Sequence, residues 1–264
     1  MMVSAQPPAS GRPLVIAHRG GALLAPENTA EAFRAAAAAG ADMVETDLRL
    51  TVDAVLVCLH DADLKRLCGD PRAVAEIDLA TIRRLLPSVM TLQDAIAASA
   101  PLGLLLDVKL TERAVVSRIL PRILAELSEA GAAGRILLGL RDLDLIAMAR
   151  AQAREVALLA FAADPDSAAR ARAAGANWFR LWQGTATAKR AAAVRAEGLK
   201  LAVMVGQPRS VALPDYPPFP VGRVDREGLD RLLALSPDAV LLDDPRLLVE
   251  ARAGHADVTG LSPG

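Results

Sequence analysis

The feature of this chain that most constrains its fold is a regular alternation of short apolar runs with longer alanine-rich segments. The apolar runs have the length and composition of buried strands, and the segments between them have helical periodicity. Eight such runs occur, at residues 14–18, 43–47, 103–109, 135–140, 155–161, 177–182, 201–206 and 239–244. Strands that alternate with helices indicate βα units in a parallel sheet, and eight units predict an α/β protein with a (β/α)8 TIM barrel.

An open, doubly wound sheet is the alternative that the same alternation permits. Sheets of that kind commonly bind a dinucleotide through a G-x-G-x-x-G motif directly after the first strand. The sequence that follows residue 18 is RGGALLAP, which lacks the motif. The closed barrel is therefore the favoured prediction.

A single barrel domain accounts for the length of 264 residues, of which 53% are hydrophobic and 23% are charged. We predict a flexible lead at residues 1–12, one barrel domain at 13–251 and a loosely ordered tail at 252–264. The longest mainly apolar run without charge, residues 95–106, contains a proline and a glycine and is too short to span a bilayer. We therefore expect no stable membrane insertion.

Charge and cysteine content bear on partners and compartment. The formal net charge is −1 and aromatic residues make up 3%, so the sequence offers neither a basic surface nor stacking platforms for nucleic acid. Cys58 and Cys68 fit no zinc or redox spacing, which favours a reducing compartment and predicts a cytoplasmic protein. No feature of the sequence defines an oligomeric state.

One strand-like run, VLVCLH at residues 55–60, departs from the alternation. Only a few residues separate it from the second predicted strand, whereas a parallel neighbour needs a crossover of about a dozen or more. The two runs must therefore form a hairpin, and a turn near residues 52–54 places residue 47 opposite residue 59. This register brings His60 back beside Glu45 and Asp47.

Carboxylates end two of the predicted strands at positions that share one face. Glu45 and Asp47 are two residues apart, as are Asp107 and Lys109, so each pair points to the same side of its strand. In TIM barrels the carboxyl ends of the strands form the active-site face. Three carboxylates that converge there repel one another unless a cation neutralises them. An all-oxygen set favours a hard divalent ion, Mg²⁺ or Ca²⁺.

Two of the three histidines in the chain fall on the same predicted rim. His18 ends the first strand and His60 returns with the hairpin, and imidazoles on either side of an ion are suited to general acid and general base work. Arg19 and Lys109 supply fixed positive charge for an anionic group, for which phosphate is the natural candidate. The third histidine, His255, is expected to be an exposed bystander.

Each of these motifs alone has an ordinary structural explanation, such as a salt bridge at a strand end. Their joint occurrence on one rim favours a functional site. Asp243 and Asp244, which end the eighth strand, either join the rim or form a turn that terminates the strand. Asn28 with Glu31 has the spacing of a helix capping box, so Asn28 is predicted to be the N-cap of the first helix.

Five motifs occur in a fixed order: HRG at 18–20, PENT at 26–29, E-x-D at 45–47, LT-x-D at 50–53 and HD-x-x-L-x-R at 60–66. In this order they resemble the glycerophosphodiester phosphodiesterase family, within the phosphatidylinositol-phospholipase-C-like phosphodiesterase superfamily. The closing AVLLDDP at 239–245 resembles the last strand of the family. The match is highly specific over about residues 16–66, and elsewhere it follows mainly the order of elements.

The resemblance implies roles for individual residues. His18 and His60 would be the acid/base pair, and Arg19 and Lys109 would contact the phosphate. Glu27 of the PENT motif would support the site and the substrate. The implied metal ligands are Glu45, Asp47 and Asp107. The family usually has Glu-x-Lys where this chain has Asp107-Val-Lys109, and the related sphingomyelinase D branch also uses aspartate there.

Other departures concern the substrate. The connection from residue 60 to residue 91 is shorter than the insertion that usually covers the pocket. Gly139-Leu140 replaces the usual Ser-Phe of the fourth strand, and Val203-Met204 replaces the usual Trp-Thr of the seventh. Trp178 and Trp182 are retained, and we expect one, taken as Trp182, to line the substrate pocket and the other to pack in the core.

The resemblance implies a metal-dependent enzyme that hydrolyses glycerophosphodiesters to sn-glycerol 3-phosphate and an alcohol. A lysophospholipase-D-like or other small-diester hydrolase is an alternative, as is a catalytically weak barrel that binds a phosphate metabolite. A membrane-acting enzyme would need an apolar surface loop, and residues 207–222, with Tyr216 and Phe219, are the only candidate. The expected partner is thus a small phosphodiester.

Overall fold

The computed structural model describes residues 12–110, 112–207 and 221–259, except for the side chains of residues 254–259. Residues 1–11 of the predicted N-terminal lead, Tyr216, Phe219 and the side chain of His255 lie outside this part of the chain. Its strands are β1 (Leu14–Ala17), β2 (Met43–Leu50), β3 (Leu56–Cys58), β4 (Asp63–Leu64), β5 (Asp70–Ala73), β6 (Gly103–Val108), β7 (Ile136–Leu140), β8 (Ala157–Ala160), β9 (Trp178–Trp182), β10 (Lys200–Met204) and β11 (Ala239–Leu242).

Helices connect most of the strands, and short 3-10 turns occur at residues 18–20, 74–76, 133–135 and 183–185. The helices are α1 (Ala30–Ala38), α2 (Lys65–Cys68), α3 (Leu79–Leu85), α4 (Leu92–Ser99), α5 (Arg113–Glu129), α6 (Leu143–Gln152), α7 (Ala168–Ala173), α8 (Ala188–Ala196), α9 (Arg226–Leu233) and α10 (Pro245–Thr259). The last of these runs past residue 251, where the sequence predicted that the ordered domain ends.

Eight of the strands form a closed ring in the order β1, β2, β6, β7, β8, β9, β10 and β11, each parallel to its neighbours. The ring closes because β1 pairs with both β2 and β11. An open sheet would leave two edge strands unpaired, so this closure confirms the predicted TIM barrel and excludes the doubly wound alternative.

The strand β3 lies outside the ring and pairs antiparallel with β2. Leu48 faces Cys58, and the amide of Leu59 donates to the carbonyl oxygen of Asp47 at 3.0 Å. Residues 47 and 59 are therefore opposite each other, as the hairpin prediction required. The hairpin turns His60 back toward the carboxyl end of β2.

The connection between residues 59 and 91 has a small apolar cluster of its own. It contains the elements β4, β5, α2 and α3, and its buried side chains pack beneath the β2–β3 hairpin. The buried members are Val57, Leu59, Leu64, Val74, Ile77, Ile82 and Val89. This cluster fixes the segment that carries His60 to the barrel.

The core has two layers, as alternation along barrel strands requires. One set of side chains fills the barrel interior, where Trp178 is fully buried together with Met43, Leu105 and Leu159. A larger set packs between the ring and the helices. Near the carboxyl ends of β2, β6 and β9, polar residues occupy positions that face the barrel interior. The alternation that fills the core therefore also places polar groups at the mouth of the barrel.

Within the described ranges, none of the helices has both the length and the apolar character that crossing a bilayer would demand.

Candidate active site

A tight turn after β1 positions the first histidine and arginine. Arg19, Gly20 and Gly21 have φ angles of 50°, 80° and 93°, so three successive residues adopt left-handed conformations. A Cβ at Gly20 would lie 2.8 Å from Cδ1 of Phe33, which leaves room only for glycine. The backbone N–H of Arg19 donates to Oε2 of Glu45 at 2.7 Å. The turn therefore joins the HRG motif directly to the end of β2.

Three buried carboxylates meet at the barrel mouth, as the sequence predicted. Glu45, Asp47 and Asp107 each offer an oxygen that lies within 4.8 Å of the oxygens offered by the other two. Burial, together with the charge of Asp47, raises the pKa of Glu45 to about 8. The Oδ1 atom of Asp47 is buried without a hydrogen bond from any described residue, although Nζ of Lys109 lies 3.1 Å away.

Two cations flank the third carboxylate. Arg141 donates to Asp107 with both terminal nitrogens, at 2.6 and 2.8 Å, and Nζ of Lys109 lies 2.6 Å from Oδ2 of Asp107. Burial opposes ionisation of Asp107, but Arg141 and Lys109 outweigh it and hold the pKa of this carboxyl far below its ordinary value. Sequence reasoning missed Arg141, although it directly follows the fourth barrel strand, where a rim residue belongs.

The carboxylate cluster has the chemistry of a site for a divalent ion. Its donors are all oxygens and they come from two adjacent strands. Burial, together with the charges of Asp47 and Asp107, raises the pKa of Glu45, and a bound cation would favour its ionised form. Arg141 and Lys109 compensate Asp107 but not Glu45. Lys109 also lies 3.1 Å from Asp47 and holds its pKa below the ordinary value although burial opposes this. The residues present therefore fit a divalent cation, with Glu45 as the least neutralised ligand.

His18 forms a buried pair with a carboxylate from the last strand. Its Nδ1 lies 2.6 Å from Oδ1 of Asp243, and because a carboxylate only accepts, Nδ1 carries the proton. Burial disfavours the charged imidazolium, but the bond to Asp243 and the charge of Glu45 outweigh it, so the pKa of His18 is raised. Asp243 therefore joins the rim. Asp244 instead pairs with Arg246 in a turn.

The lack of a side chain at Gly222 leaves the space that the carboxylate of Asp243 occupies. Gly222 has a φ of 83° and its amide donates to Val205, while its carbonyl accepts the N–H of Asp243 at 2.7 Å. A Cβ at Gly222 would lie 2.1 Å from Oδ1 of Asp243, the atom that His18 contacts. A side chain at this position would displace the carboxylate from the histidine.

His60 stands on the other side of the carboxylates in a more exposed position, with 26% of its side chain accessible. Its Nδ1 lies 2.7 Å from Oδ1 of Asp61, and Asp61 is also bound by Arg66. Burial lowers the pKa of His60, and the positive charge of Arg19 acts in the same direction, although Asp47 opposes both. The two histidines thus have pKa shifts of opposite sign.

The PENT motif acts differently from the prediction. Thr29, not Asn28, is the N-cap of α1, since its hydroxyl accepts from the amide of Ala32. Asn28 has a φ of 58° and turns inward, where its amide nitrogen donates to Oδ2 of Asp47 at 3.1 Å. The predicted capping role of Asn28 is therefore wrong. Its left-handed backbone directs the side chain to the carboxylate cluster instead of to the helix.

Glu27 supports the site through two arginines, Arg19 of the HRG motif and Arg66 of the HD-x-x-L-x-R motif. It accepts from Nη1 of Arg19 at 3.1 and 3.2 Å and from both terminal nitrogens of Arg66 at 2.6 and 3.0 Å. Although burial disfavours its charge, these guanidinium groups lower the pKa of Glu27. Glu27 therefore orients Arg19 and links it to the hairpin that carries His60.

The two tryptophans lie at opposite ends of β9. Trp178 is buried in the barrel interior, whereas Trp182 ends β9 and is partly exposed. The ring of Trp182 lies beneath the guanidinium of Arg180, at 4.6 Å from its centroid. Sequence reasoning also missed Arg180, which occupies the middle of an apolar strand.

The closed barrel and its rim define a class of protein: a TIM barrel with a buried carboxylate cluster between two histidines, flanked by arginine and lysine side chains. Residues 18–247 match the sequence profile of the "Glycerophosphoryl diester phosphodiesterase family". The match covers most of the chain, and the chain belongs to this family.

Curated relatives match this chain over a shorter region. The "Probable glycerophosphodiester phosphodiesterase 1" of Mycobacterium tuberculosis is 45% identical over 76 residues, which are 29% of this chain and 28% of that protein. The aligned region therefore spans less than a third of the relative.

Solved structures match over nearly the whole chain at low identity. A putative glycerophosphoryl diester phosphodiesterase from Silicibacter pomeroyi has a TM-score of 0.75 at 22% identity, over 93% of this chain and 96% of that one. A phosphodiesterase from Oleispira antarctica, solved with the product sn-glycerol-3-phosphate, has a TM-score of 0.73 at 22% identity, over 92% and 98% of the two chains. These likenesses support the fold.

Proposed function

We propose that this chain is a phosphoric diester hydrolase that cleaves glycerophosphodiesters to sn-glycerol 3-phosphate and an alcohol. The observation that carries the proposal is the arrangement of His18 and His60, with pKa shifts of opposite sign, around three buried carboxylates. Family membership and the names of the relatives support the substrate class. The product in the Oleispira antarctica structure supports the identity of the phosphate released here.

Glu45, Asp47 and Asp107 would hold one divalent ion, Mg²⁺ or Ca²⁺. When bound, such an ion polarises a phosphoryl oxygen and offsets the charge that develops on it. Asn28 fixes one oxygen of Asp47 and leaves Oδ1 without a hydrogen bond from the described residues, which suits that oxygen to ligation. Asp107 would exchange part of its contact with Arg141 and Lys109 for the ion.

The two histidines would carry out proton transfer. The lowered pKa of His60 leaves it neutral near pH 7, as a general base requires, and it would deprotonate the nucleophile, which the resemblance suggests is a neighbouring hydroxyl of the substrate. The raised pKa of His18 favours the imidazolium, which would protonate the leaving alkoxide through Nε2 because Nδ1 is bound to Asp243. The cyclic phosphate that this attack forms would then be opened by water. His18, now neutral, would deprotonate the water, and His60, now protonated, would return a proton to the glycerol oxygen, which gives sn-glycerol 3-phosphate.

Arg19 and Lys109 would bind the phosphate. The Nε atom of Arg19 is buried and has no hydrogen-bond acceptor among the described residues, whereas its Nη1 is held by Glu27. A buried donor without an acceptor is costly unless a ligand supplies one, and a phosphoryl oxygen is a suitable acceptor. Trp182 would border the substrate on the β9 side.

A substrate panel tests the proposal directly. Purified protein with Mg²⁺ or Ca²⁺ is incubated with glycerophosphoethanolamine, glycerophosphoglycerol and lysophosphatidylcholine, and the products are identified by mass spectrometry. We expect sn-glycerol 3-phosphate from the first two. Cleavage of the lysophospholipid alone would instead favour the lysophospholipase-D-like alternative. Phosphate binding without hydrolysis of any diester would favour a catalytically weak barrel.

We also propose a cytoplasmic, reducing location, because Cys58 and Cys68 are both free thiols.

Asp243→Asn is expected to shift the pH dependence of kcat. If His18 is the general acid, activity falls as pH rises through its pKa, which Asp243 raises. Loss of the negative charge lowers this pKa, so the alkaline limb of the profile moves to lower pH while the acidic limb, set by His60, stays in place. Asp244→Asn is the matched control, because Asp244 pairs with Arg246 outside the site. An unmoved alkaline limb in Asp243→Asn would remove His18 from the role of acid.

A further inference from the structure

Arg180 is a buried cation that nothing in the proposed chemistry uses. Its side chain lies in the barrel interior with 7% of the residue exposed. No hydrogen bond or ion pair joins it to any residue in the described part of the chain, and its Nε is fully buried without an acceptor. An unpaired buried charge is costly unless a ligand compensates it, so its retention needs an explanation.

Two aromatic rings hold the guanidinium in a defined place. Its central carbon lies 4.6 Å from the ring centroid of Trp182 and 5.3 Å from that of Phe161. Phe161 reaches this position because Gly139 leaves the space open, since a Cβ there would lie 2.1 Å from Cε2 of the ring. Gly139, which stands where the family usually has serine, thus makes room for the Phe161 ring that supports Arg180.

The charged neighbours of Arg180 are the guanidinium of Arg141 and the carboxylate of Asp107. Burial lowers the pKa of Arg180 to about 9, and the neighbouring guanidinium of Arg141 acts in the same direction. Both guanidinium groups lie over the Phe161 ring, at 5.5 Å for Arg141 and 5.3 Å for Arg180. Asp107, the nearby carboxylate, gives both of its oxygens to Arg141. Arg180 is therefore the cation of this pair that has no counter-ion of its own.

The place of β9 in the barrel determines where Arg180 lies relative to the phosphate that would react. Three strands lie between β2 and β9 in either direction around the barrel, so Arg180 faces Glu45 and Asp47 from the opposite wall. A phosphodiester held by Arg19 and Lys109 beside the carboxylate cluster has two ester substituents. One of them would extend across the mouth toward β9, where Arg180 and Trp182 form the wall.

We propose that Arg180 is a specificity residue that binds a second anionic group, a carboxylate or a phosphate, on the substituent that extends toward β9. The substrate would then be a glycerophosphodiester whose head group carries its own negative charge. The inference rests on the proposed diesterase function. A guanidinium recognises carboxylate and phosphate through the same planar array of donors, so the two groups are distinguished by experiment.

Matched pairs of substrates test this assignment. Glycerophosphoserine differs from glycerophosphoethanolamine only in a carboxylate, and glycerophosphoinositol 4-phosphate differs from glycerophosphoinositol only in a phosphate. We expect wild-type protein to prefer the anionic member of at least one pair by roughly tenfold or more in kcat/KM, as expected for a charged hydrogen bond in a buried site. Arg180→Met should reduce that preference to about one, and Arg180→Lys should retain part of it.

A control variant and two results that would overturn the proposal complete the test. Arg118→Met, on the exposed side of α5, should leave the preference unchanged. Equal loss on both members of each pair in Arg180→Met would assign Arg180 to the scissile phosphate or to structure and overturn the proposal, as would a wild-type protein without any preference. If no diester is hydrolysed, the proposed function fails separately, and calorimetric binding of the same pairs to wild type and Arg180→Met decides the role of Arg180.

Discussion

His18→Ala and His60→Ala are each expected to lower kcat for an alkyl glycerophosphodiester by roughly 10²- to 10⁴-fold, the usual contribution of one general acid or base. The two variants should differ when the leaving group is changed. A p-nitrophenolate leaves without being protonated, so the acid is dispensable for bis(p-nitrophenyl) phosphate. His18→Ala should therefore lose much less activity on this substrate than on glycerophosphoethanolamine. His60→Ala should lose activity on both, because His60 would deprotonate the glycerol hydroxyl of glycerophosphoethanolamine and a water molecule for bis(p-nitrophenyl) phosphate, which has no hydroxyl of its own.

His255→Ala is the matched control, because it removes the one histidine that the sequence places outside the rim. It should keep wild-type kinetics on both substrates. Circular dichroism and thermal unfolding establish that each variant is folded. If His60→Ala shows the leaving-group dependence instead, the acid and base assignments are exchanged. If either rim variant keeps near wild-type activity on the alkyl diester, the acid/base pair is wrong.

The barrel was predictable because its causes are local. Each of the eight predicted strands overlaps an observed barrel strand, since buried parallel strands are continuous apolar runs. The register of Asp47 opposite Leu59 followed from the short connection, which allows only a hairpin. Residues two apart on a strand share one face, and the carboxyl ends of the barrel strands meet at one rim. The cluster of Glu45, Asp47 and Asp107 was therefore also predictable.

The site residues whose roles the sequence did not predict depend on tertiary contacts, and the hydrophobic periodicity of the strands does not encode such contacts. Arg180 occupies an interior position of an apolar strand, and its place depends on Phe161 from the neighbouring strand. Asn28 and Thr29 are both good capping residues, and only the left-handed backbone at Asn28 decides which of them caps α1. Asp243 could equally have formed the turn that Asp244 forms, and contact with His18 at the end of the adjacent strand β1 decides between them.

Metal binding is expected to release a proton, and to strengthen as pH rises. In the metal-free protein, burial and the charge of Asp47 raise the pKa of Glu45 to about 8, so Glu45 is protonated near pH 7. A divalent ion needs the carboxylate, and the proton must leave as the ion binds. The affinity for Mg²⁺ or Ca²⁺ should therefore rise by up to about tenfold per pH unit below pH 8 and level off above it.

Calorimetric titration with the metal alone, in buffers of different ionisation enthalpy, measures this proton count without relying on turnover. We expect nearly one proton per ion at about pH 6 and little above about pH 9. In Asp47→Asn the charge that raises the pKa of Glu45 is gone, so both the affinity and the proton release near pH 7 should fall. Glu197→Gln, an exposed change at the end of α8, should alter neither. Tight binding with no proton release would mean that Glu45 is already ionised and that Arg141 and Lys109, rather than a bound cation, neutralise the cluster.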